Sequence, residues 1–331
     1  MIKHLKVPEN KAQEVKVFLE KANALHDSFK PISEDGFIFW PLNYEVDGNI
    51  VLREPVKVTR VSRDYRKLLP DKIRSLAPRA FDIFGDIAII KLSEELLLYK
   101  SQIATALLSS HKNIKKVALD LGVSGQFRVR NLEMLSGDDS FISTHRENGF
   151  DFTLDVSKVY FSPRLATERK RLFDLAKPGE KVLDAFAGSS PFSVVLASKD
   201  CQVTSVDSNP EAKSWSYSNF KNNQISEENY TIISEKIEET IDSLENFDRI
   251  IMNHPTDSLS YLELLSKKLN PGGFIHLYVI LDKLEKIDFK AYLGFGFKCV
   301  FERNVHAYSP QSSLKVYDIS KTDVNVQKTN Q

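Results

Sequence analysis

Short apolar runs alternate with segments of helical spacing in the second half of the chain. Seven runs rich in β-branched and aromatic residues predict strands. They lie at residues 182–185, 202–206, 230–233, 249–252, 274–279, 298–302 and 314–318. Helical patterns such as 211–222 and 259–269 lie between them, which predicts an α/β domain with a mostly parallel, doubly wound sheet. No helical pattern separates the last two runs, which predicts an antiparallel edge strand.

The first 160 residues carry mixed patterns that predict two small α+β domains. Helical or strand spacing is present at residues 8–25, 36–41, 64–76, 83–92, 94–109 and 126–130. Residues 141–161 predict a β-hairpin, because Asn148-Gly149 favours the twisted two-residue turn between antiparallel strands. We therefore predict domains at residues 1–65, 66–160 and 161–331, the last being the α/β domain.

Composition narrows the class of protein without deciding its ligand. The 331 residues are 42% hydrophobic and 27% charged, as in soluble globular proteins. Lys and Arg number 45, as do Asp and Glu, and this zero net charge neither supports nor excludes a nucleic-acid partner. Cys201 and Cys299 cannot form a disulfide framework, and no Cys/His cluster has zinc spacing, so no metal site is predicted. No apolar run reaches the roughly 18 residues of a membrane span, and we expect a cytoplasmic protein.

The first two predicted strands of the α/β domain both end in carboxylates. Asp184 precedes a turn of small residues, and Asp207 ends the second strand. A carboxylate there can accept both hydroxyls of a ribose, while a small-residue turn lets the backbone approach the ligand. The turn lacks the three glycines of a dinucleotide fingerprint, so we expect an adenosine ligand without phosphates, of which S-adenosylmethionine is the commonest. Phe186 and Gly188 would border its methionine end, whereas capping of the next helix is the structural alternative for Asp207.

Two further loops follow predicted strands at the same end of the sheet. Glu235 and Lys236 follow the third strand, where they could lie beside the adenine or be solvated loop charges. Asn253 follows the fourth strand and could hydrogen-bond the edge of a planar substrate, with Pro255 as a further substrate contact. His254 could act as a base, although a single histidine more often has a structural role.

Several motifs resemble those of the archaeal and eukaryotic tRNA (guanine-37-N1) methyltransferases, in the order that the family has them. They are Phe81-Asp-Ile-Phe-Gly-Asp-Ile-Ala-Ile-Ile90, His145-Arg-Glu-Asn-Gly149, Val159-Tyr-Phe-Ser-Pro-Arg-Leu-Ala-Thr-Glu-Arg169, Asp184-Ala-Phe-Ala-Gly188 and Met252-Asn253. The resemblance implies a Rossmann-like class I methyltransferase domain behind two small α+β domains, with S-adenosylmethionine as cofactor. Related enzymes that make the wybutosine side chain share much of the middle domain.

The resemblance implies methyl transfer to ring N1 of guanosine 37, next to the tRNA anticodon. N1 carries a proton, so a base must remove it, and a cation near O6 would stabilise the negative charge that develops. The family's general base aligns with Glu168, its O6-stabilising arginine with Arg128, and its strand-end asparagine with Asn253. Arg164 matches an arginine near the substrate. Family contacts to the cofactor align with Arg169, Phe186, Asp207, Ser208, Glu235, Lys236 and again Asn253.

Three positions depart from the family's pattern. Ser190 stands where glycine is usual and could narrow the cofactor turn. His254 replaces leucine or proline and changes the wall beside the target base. Glu235 replaces the more frequent aspartate, which lengthens the contact to the adenine.

The resemblance also implies a tRNA partner. A base in an anticodon loop must leave its stack to enter a catalytic pocket. By family analogy the N-terminal domain reads the outer corner of the tRNA, and the middle domain closes over the anticodon stem-loop. Basic residues concentrate near the first domain boundary, although they could equally form a solvated helix face: Arg60, Arg63, Arg66, Lys67, Lys72, Arg74 and Arg79. We expect a monomer.

Two other functions stay open. Some archaeal members of this family also methylate C7 of the wybutosine intermediate 4-demethylwyosine, and the unusual His254 could belong to such a bifunctional enzyme. The other is a non-catalytic tRNA-binding protein with a degenerate cofactor domain. The joint presence of Asp207, Glu168, Arg128 and Asn253 disfavours it.

Overall fold

A computed structural model describes residues 1–57, 64–125, 127 and 129–322 of the chain. These residues fall into two compact units, one within Met1–Arg63 and one within Asp64–Gln331. In the described ranges, no helix has the length and apolar character needed to cross a membrane.

The first unit has an α+β fold, as predicted. Its elements are β1 (Ile2–Pro8), α1 (Ala12–Lys21), β2 (Phe29–Lys30), β3 (Ile32–Glu34), β4 (Phe37–Pro41), β5 (Ile50–Arg53) and β6 (Val56–Lys57). Four strands form a sheet of order β3-β4-β1-β5, and β2 pairs with β6. Leu19 of α1 is fully buried in a core that includes Leu5 and Trp40.

The second unit begins with a four-stranded sheet and a separate hairpin. Its first elements are α2 (Asp71–Arg74), β7 (Asp82–Phe84), β8 (Ile87–Ile90), α3 (Lys100–Ser110), β9 (Lys116–Ser124), β10 (Val129–Ser136), β11 (Ile142–Glu147) and β12 (Phe150–Asp155). The sheet has the order β10-β9-β8-β7. Asn148 and Gly149 have φ of +49° and +88°, the positive values of the twisted two-residue turn, so the predicted β11–β12 hairpin is confirmed.

Two predicted helices in this region differ from the structure. The helix predicted at 64–76 is a 3-10 turn, Tyr65–Leu68, followed by α2. The break falls at Leu69, which is extended because the residue before a proline avoids helical conformation. The helix predicted at 94–109 begins as a 3-10 segment, Glu94–Tyr99, and becomes α-helical only in α3. Of the strand predicted at 126–130, β10 contains the residues from Val129 onward, while Gln126 and Arg128 lie outside the described residues.

The remainder of the second unit forms a seven-stranded α/β sheet. Its elements are α4 (Ala166–Leu175), β13 (Lys181–Asp184), α5 (Pro191–Ala197), β14 (Gln202–Val206), α6 (Pro210–Asn222), β15 (Tyr230–Ile233), α7 (Ile237–Thr240), β16 (Phe247–Met252), α8 (Ser258–Ser266), β17 (Leu269–Asp282), α9 (Phe289–Leu293), β18 (Phe297–Ala307) and β19 (Ser312–Lys321). The order is β15-β14-β13-β16-β17-β19-β18. Only β19 runs opposite to the other six strands, which confirms the predicted mostly parallel sheet with one antiparallel strand towards its edge. The reversed strand lies one position inside the edge, between β17 and β18.

The central strands are apolar throughout because both faces of the sheet are covered. Val182 and Ile251 pack into one hydrophobic cluster, and their chain neighbours Leu183 and Ile250 pack into the other. The chain passes from β13 to β14 on one side and later returns to β16 on the other side. This change of direction creates a switch point at the carboxyl ends of the strands, where sheets of this type bind ligands.

The turn between β7 and β8 contacts strand β11 of the hairpin. The Gly85 backbone N–H donates to His145 Nδ1 at 3.3 Å, and the Ser143 hydroxyl donates to Asp86 Oδ1 at 2.6 Å. Gly85 has φ of +54°, and a Cβ atom there would lie 2.4 Å from the carbonyl oxygen of Thr144. The close approach of the two backbones therefore requires glycine at this turn.

Replacing Gly85 with alanine should lower the free energy of unfolding by about 2 kcal/mol or more, because the added methyl group must displace backbone. Gly149→Ala is the matched control, since φ is also positive there but no atom lies within 4 Å of the added Cβ. Urea denaturation of both variants measures the difference. Equal losses of stability would contradict the close approach at Gly85.

Candidate active site

Asp207 connects the end of β14 to the turn that follows β13. The Gly188 backbone N–H donates to Asp207 Oδ2 at 2.6 Å, and the Asn209 N–H donates to Oδ1 at 2.9 Å. Burial raises the pKa of Asp207, since a low-dielectric environment opposes its ionisation. Each carboxylate oxygen can accept another hydrogen bond, as the predicted ribose contact requires.

Ser190, at a position where the resemblance implies glycine, bonds to helix α6. Its φ is +62°, and its hydroxyl is directed to α6, where it donates to Ser216 Oγ at 2.8 Å. Ser216 in turn donates to the carbonyl oxygen of Gly188 at 3.0 Å. The two serines therefore fasten the turn to α6.

Asp184, at the end of β13, is buried beneath the same turn. The Ser193 hydroxyl donates to its Oδ2 atom at 2.8 Å. Burial raises the pKa of Asp184 to about 7, and the nearby charge of Asp207 acts in the same direction. Two carboxyl groups therefore lie at the ends of adjacent strands, and burial makes both of them harder to ionise.

Asn253 and His254 follow the end of β16, beside the rings of Phe186 and Tyr261. The ring of Phe186 lies 5.0 Å from that of His254 and 5.1 Å from that of Tyr261. Asn253 Oδ1 is buried and has no hydrogen-bond partner within the described part of the chain. A buried oxygen of this kind costs free energy unless it is hydrogen-bonded, so a bound ligand would find an acceptor here. Sequence reasoning missed Tyr261, because an aromatic residue in a helix is more often part of the core.

Ser208, Glu235 and Lys236 are all exposed at the same end of the sheet. Lys236 Nζ lies 3.8 Å from Glu239 Oε1, one helical turn further along the chain. The loop that carries Glu235 and Lys236 follows β15, and the contact of these residues with an adenine stays a prediction.

Glu168 is completely buried, and its carboxylate is enclosed by three donors. Arg171 Nε donates to Glu168 Oε2 at 2.9 Å, and the Tyr278 hydroxyl donates to the same oxygen at 3.1 Å. Arg303 donates to Oε1. Two guanidinium groups and a hydroxyl therefore stabilise the ionised carboxylate, which would otherwise be costly to bury.

The ion pairs around Glu168 continue into the sheet. Arg171 Nη1 lies 2.5 Å from Asp318 Oδ2, and His276 Nδ1 lies 2.6 Å from Asp318 Oδ1. Although burial opposes ionisation, the bonds from His276 and Arg171 lower the pKa of Asp318 to about 2. Burial, together with the positive charges of Arg249 and Arg171, lowers the pKa of His276 despite its bond to Asp318.

Arg169 connects helix α4 to the β11–β12 hairpin. It is buried, its guanidinium bonds both oxygens of Glu147, and its Nη2 donates to the carbonyl oxygen of Ser162 at 3.0 Å. Its guanidinium carbon also lies 4.8 Å from the centre of the Phe161 ring. The structure therefore gives Arg169 a structural role, and the cofactor contact assigned by resemblance stays a prediction.

Arg164 is exposed at the start of the segment that leads into α4. Its Nη2 lies 2.8 Å from Asp82 Oδ1, and Asp82 Oδ2 accepts from Arg130 at 2.8 Å. The two arginines lower the pKa of Asp82 although burial opposes this. Arg128, predicted to act with Glu168, lies outside the described residues.

Three family models match the chain, one after another. Residues 5–51 match the tRNA methyltransferase 5 N-terminal domain, residues 62–140 the TYW2 N-terminal domain, and residues 143–295 the TRM5/TYW2 methyltransferase domain. The last of these spans helix α4 with Glu168 and the strand ends that carry Asp207 and Asn253.

Individual relatives agree with the family models. A tRNA (guanine(37)-N(1))-methyltransferase, Trm5b of Pyrococcus abyssi, is 38% identical over 278 residues, 83% of either chain. Its crystal structure has a TM-score of 0.73 at 35% identity and covers 97% of this chain and 100% of its own. The complex of aTrm5 with tRNALeu has a TM-score of 0.72 at 26% identity, and the match covers 97% of this chain and 99% of that chain. Methanocaldococcus jannaschii Trm5 in complex with adenosine has a TM-score of 0.65 at 25% identity, and the match covers 96% of this chain and 99% of that chain. The resemblance indicated by the motifs is confirmed.

The raised pKa of Asp184 predicts how stability depends on pH. Between its ordinary pKa of 3.8 and about 7, the folded protein holds a proton that the unfolded chain releases, so this group makes folding less favourable as pH rises through that window. Asp184→Asn should remove this component, so the free energy of unfolding should depend less on pH than in the wild type. Urea titrations between about pH 4 and pH 7 measure it, with exposed Asp200→Asn as the control. A slope unchanged by Asp184→Asn would contradict the prediction.

Proposed function

We propose that this chain, which belongs to the TRM5/TYW2 methyltransferase family, transfers a methyl group from S-adenosylmethionine to ring N1 of guanosine 37 in tRNA. One observation carries the proposal. The carboxyl ends of β13, β14 and β16 bring the small-residue turn, Asp207 and Asn253 together at the switch point of the sheet. The shared name of the curated relatives supports the reaction and its target base.

S-adenosylmethionine fits the chemistry of the groups at these strand ends. Asp207 would accept the ribose hydroxyls, and the turn that contains Phe186 and Gly188 would border the methionine end. The buried Oδ1 atom of Asn253 would accept a hydrogen bond from the bound ligand or the target base. Ser208, Glu235, Lys236 and Arg169 complete the proposed cofactor contacts. The sulfonium of this cofactor supplies an electrophilic methyl group, and the protein must make N1 nucleophilic.

Glu168 is the proposed base that removes the proton from N1. Its carboxylate accepts hydrogen bonds from Arg171, Tyr278 and Arg303, and the two guanidinium charges compensate the negative charge that a base requires. Glu168 is completely buried, so its carboxylate must be uncovered before the N1–H group of the guanine can reach it. Arg128 would stabilise the charge on O6, while Arg164 and Pro255 would position the base.

The tRNA itself would be held by the regions that precede the α/β sheet. We propose three domains, at residues 1–65, 66–160 and 161–331. The first would bind the outer corner of the tRNA, and the second would bind the anticodon stem-loop. Within the basic cluster, Arg66 and Arg74 pair with acidic neighbours, and Arg60 and Arg63 lie outside the described residues. Lys67, Lys72 and Arg79 are exposed and form no ion pair with the described residues. They are the proposed phosphate contacts.

Glu168→Gln should lower the single-turnover rate of methyl transfer to a guanosine-37 transcript by roughly 10²–10⁴, the usual effect of losing a general base. The affinity for S-adenosylmethionine should stay close to that of the wild type. Glu180→Gln is the matched control, because it also removes a carboxylate that pairs with a buried arginine, Arg249. It should lose stability without a comparable loss of rate. A wild-type rate in Glu168→Gln would exclude Glu168 as the base.

Replacing Lys67, Lys72 and Arg79 together with glutamine should weaken tRNA binding and reduce its salt dependence. Each lost phosphate contact lowers the slope of log K against log[salt] by about 0.7–0.9. Filter binding between 50 mM and 200 mM salt, a range in which phosphate contacts change affinity strongly, measures the slope. The exposed residues Lys177, Lys283 and Lys286 of the α/β domain provide a control triple variant of equal charge. An unchanged slope would identify the cluster as a solvated surface.

A further inference from the structure

The donors around Glu168 differ in how freely they could leave it. Tyr278 on β17 is fully buried. Arg171, on the same helix as Glu168, has a side chain that is only 15% exposed, and it also bonds both oxygens of Asp318 on β19. The Phe301 ring covers the face of Arg171 at 4.7 Å. These contacts fix the two donors in place.

Arg303 differs from the other two donors in exposure and location. Its side chain is 37% exposed, and it projects from β18, the edge strand of the sheet. Its Nη2 reaches Glu168 Oε1, and its Nε atom has no partner within the described part of the chain. Solvent can rehydrate a partly exposed guanidinium at low cost, whereas a buried one would lose its compensation. Arg303 is therefore the donor that the carboxylate can most readily exchange.

We propose that Arg303 is a positioning residue that holds Glu168 in its buried position and leaves the carboxylate when the substrate guanine enters. The proposal rests on the proposed methyl transfer, with Glu168 as base. The N1 proton then passes to the Glu168 carboxylate, the bond from N1 to the methyl carbon forms, and the bond from that carbon to sulfur breaks. Arg303 is unchanged by the reaction.

The contact has a consequence for the pH dependence of the rate. Groups that face Glu168 come from α4 (Arg171), β17 (Tyr278) and β18 (Arg303), with Asp318 of β19 behind Arg171. Without the positive charge of Arg303, the buried Glu168 carboxylate has one cationic partner, Arg171, which also pairs with Asp318. Loss of a nearby opposite charge raises the pKa of a carboxyl group by one unit or more. The base should then become protonated at a higher pH.

The test is the single-turnover rate of methyl transfer to a guanosine-37 transcript between about pH 5 and pH 9, with saturating S-adenosylmethionine. In Arg303→Gln, the midpoint of the acidic limb should rise by about one unit, while the rate on the alkaline plateau should equal or exceed that of the wild type. Arg303→Lys should restore the wild-type midpoint. Lys298→Gln, which removes an exposed charge from the same strand, should leave the profile unchanged. Arg303→Met retains the apolar stem and gives the same readout if the glutamine variant is unstable.

Two results would overturn the proposal. An unchanged midpoint in both neutral variants would mean that Arg303 does not control the ionisation of the base. A rate lowered equally at every pH would mean that the residue has only a structural role. Failure of the proposed function is distinguishable, because the wild type would then form no 1-methylguanosine, or Glu168→Gln would react at the wild-type rate.

Discussion

The hydrogen bond from the Gly188 N–H to the Asp207 carboxylate joins the ends of the two central strands β13 and β14. It can form because parallel strands end at the same edge and because the turn after β13 is built from small residues. The turn is fixed further by Ser190 and Ser216, which bond it to α6. The proposed cofactor site therefore depends on the short turn that follows Asp184 and donates its hydrogen bond to Asp207. Burial raises the pKa of both carboxyl groups.

Helix α4 connects this site to the elements around it through consecutive charged residues. Arg169 bonds Glu147 of the β11–β12 hairpin, whereas Glu168 and Arg171 bond groups on β17, β18 and β19. A displacement of α4 would therefore disturb the hairpin and the far edge of the sheet together. Adjacent residues of α4 therefore connect the β11–β12 hairpin to the carboxylate that we propose as the base.

The sequence predicts the local features well and the long-range ones poorly. The strands at 202–206 and 230–233 were predicted with the bounds that the structure has, because strong apolar runs end at charged or turn residues. The helix predicted at 64–76 is wrong, because Pro70 keeps the preceding Leu69 in an extended conformation. The partners of Glu168 could not be predicted, since Tyr278 and Arg303 are 110 and 135 residues away from it. Pairing of this kind follows from strand order, which no local pattern contains.

The identity of the reaction product tests the account most directly. An unmodified tRNA transcript with guanosine at position 37 is incubated with the protein and S-adenosylmethionine, digested to nucleosides and analysed by mass spectrometry. The account predicts 1-methylguanosine, mapped to position 37 and absent from a transcript with adenosine at that position. A transcript that gains no methyl group, or gains it on another atom or nucleotide, would contradict the account.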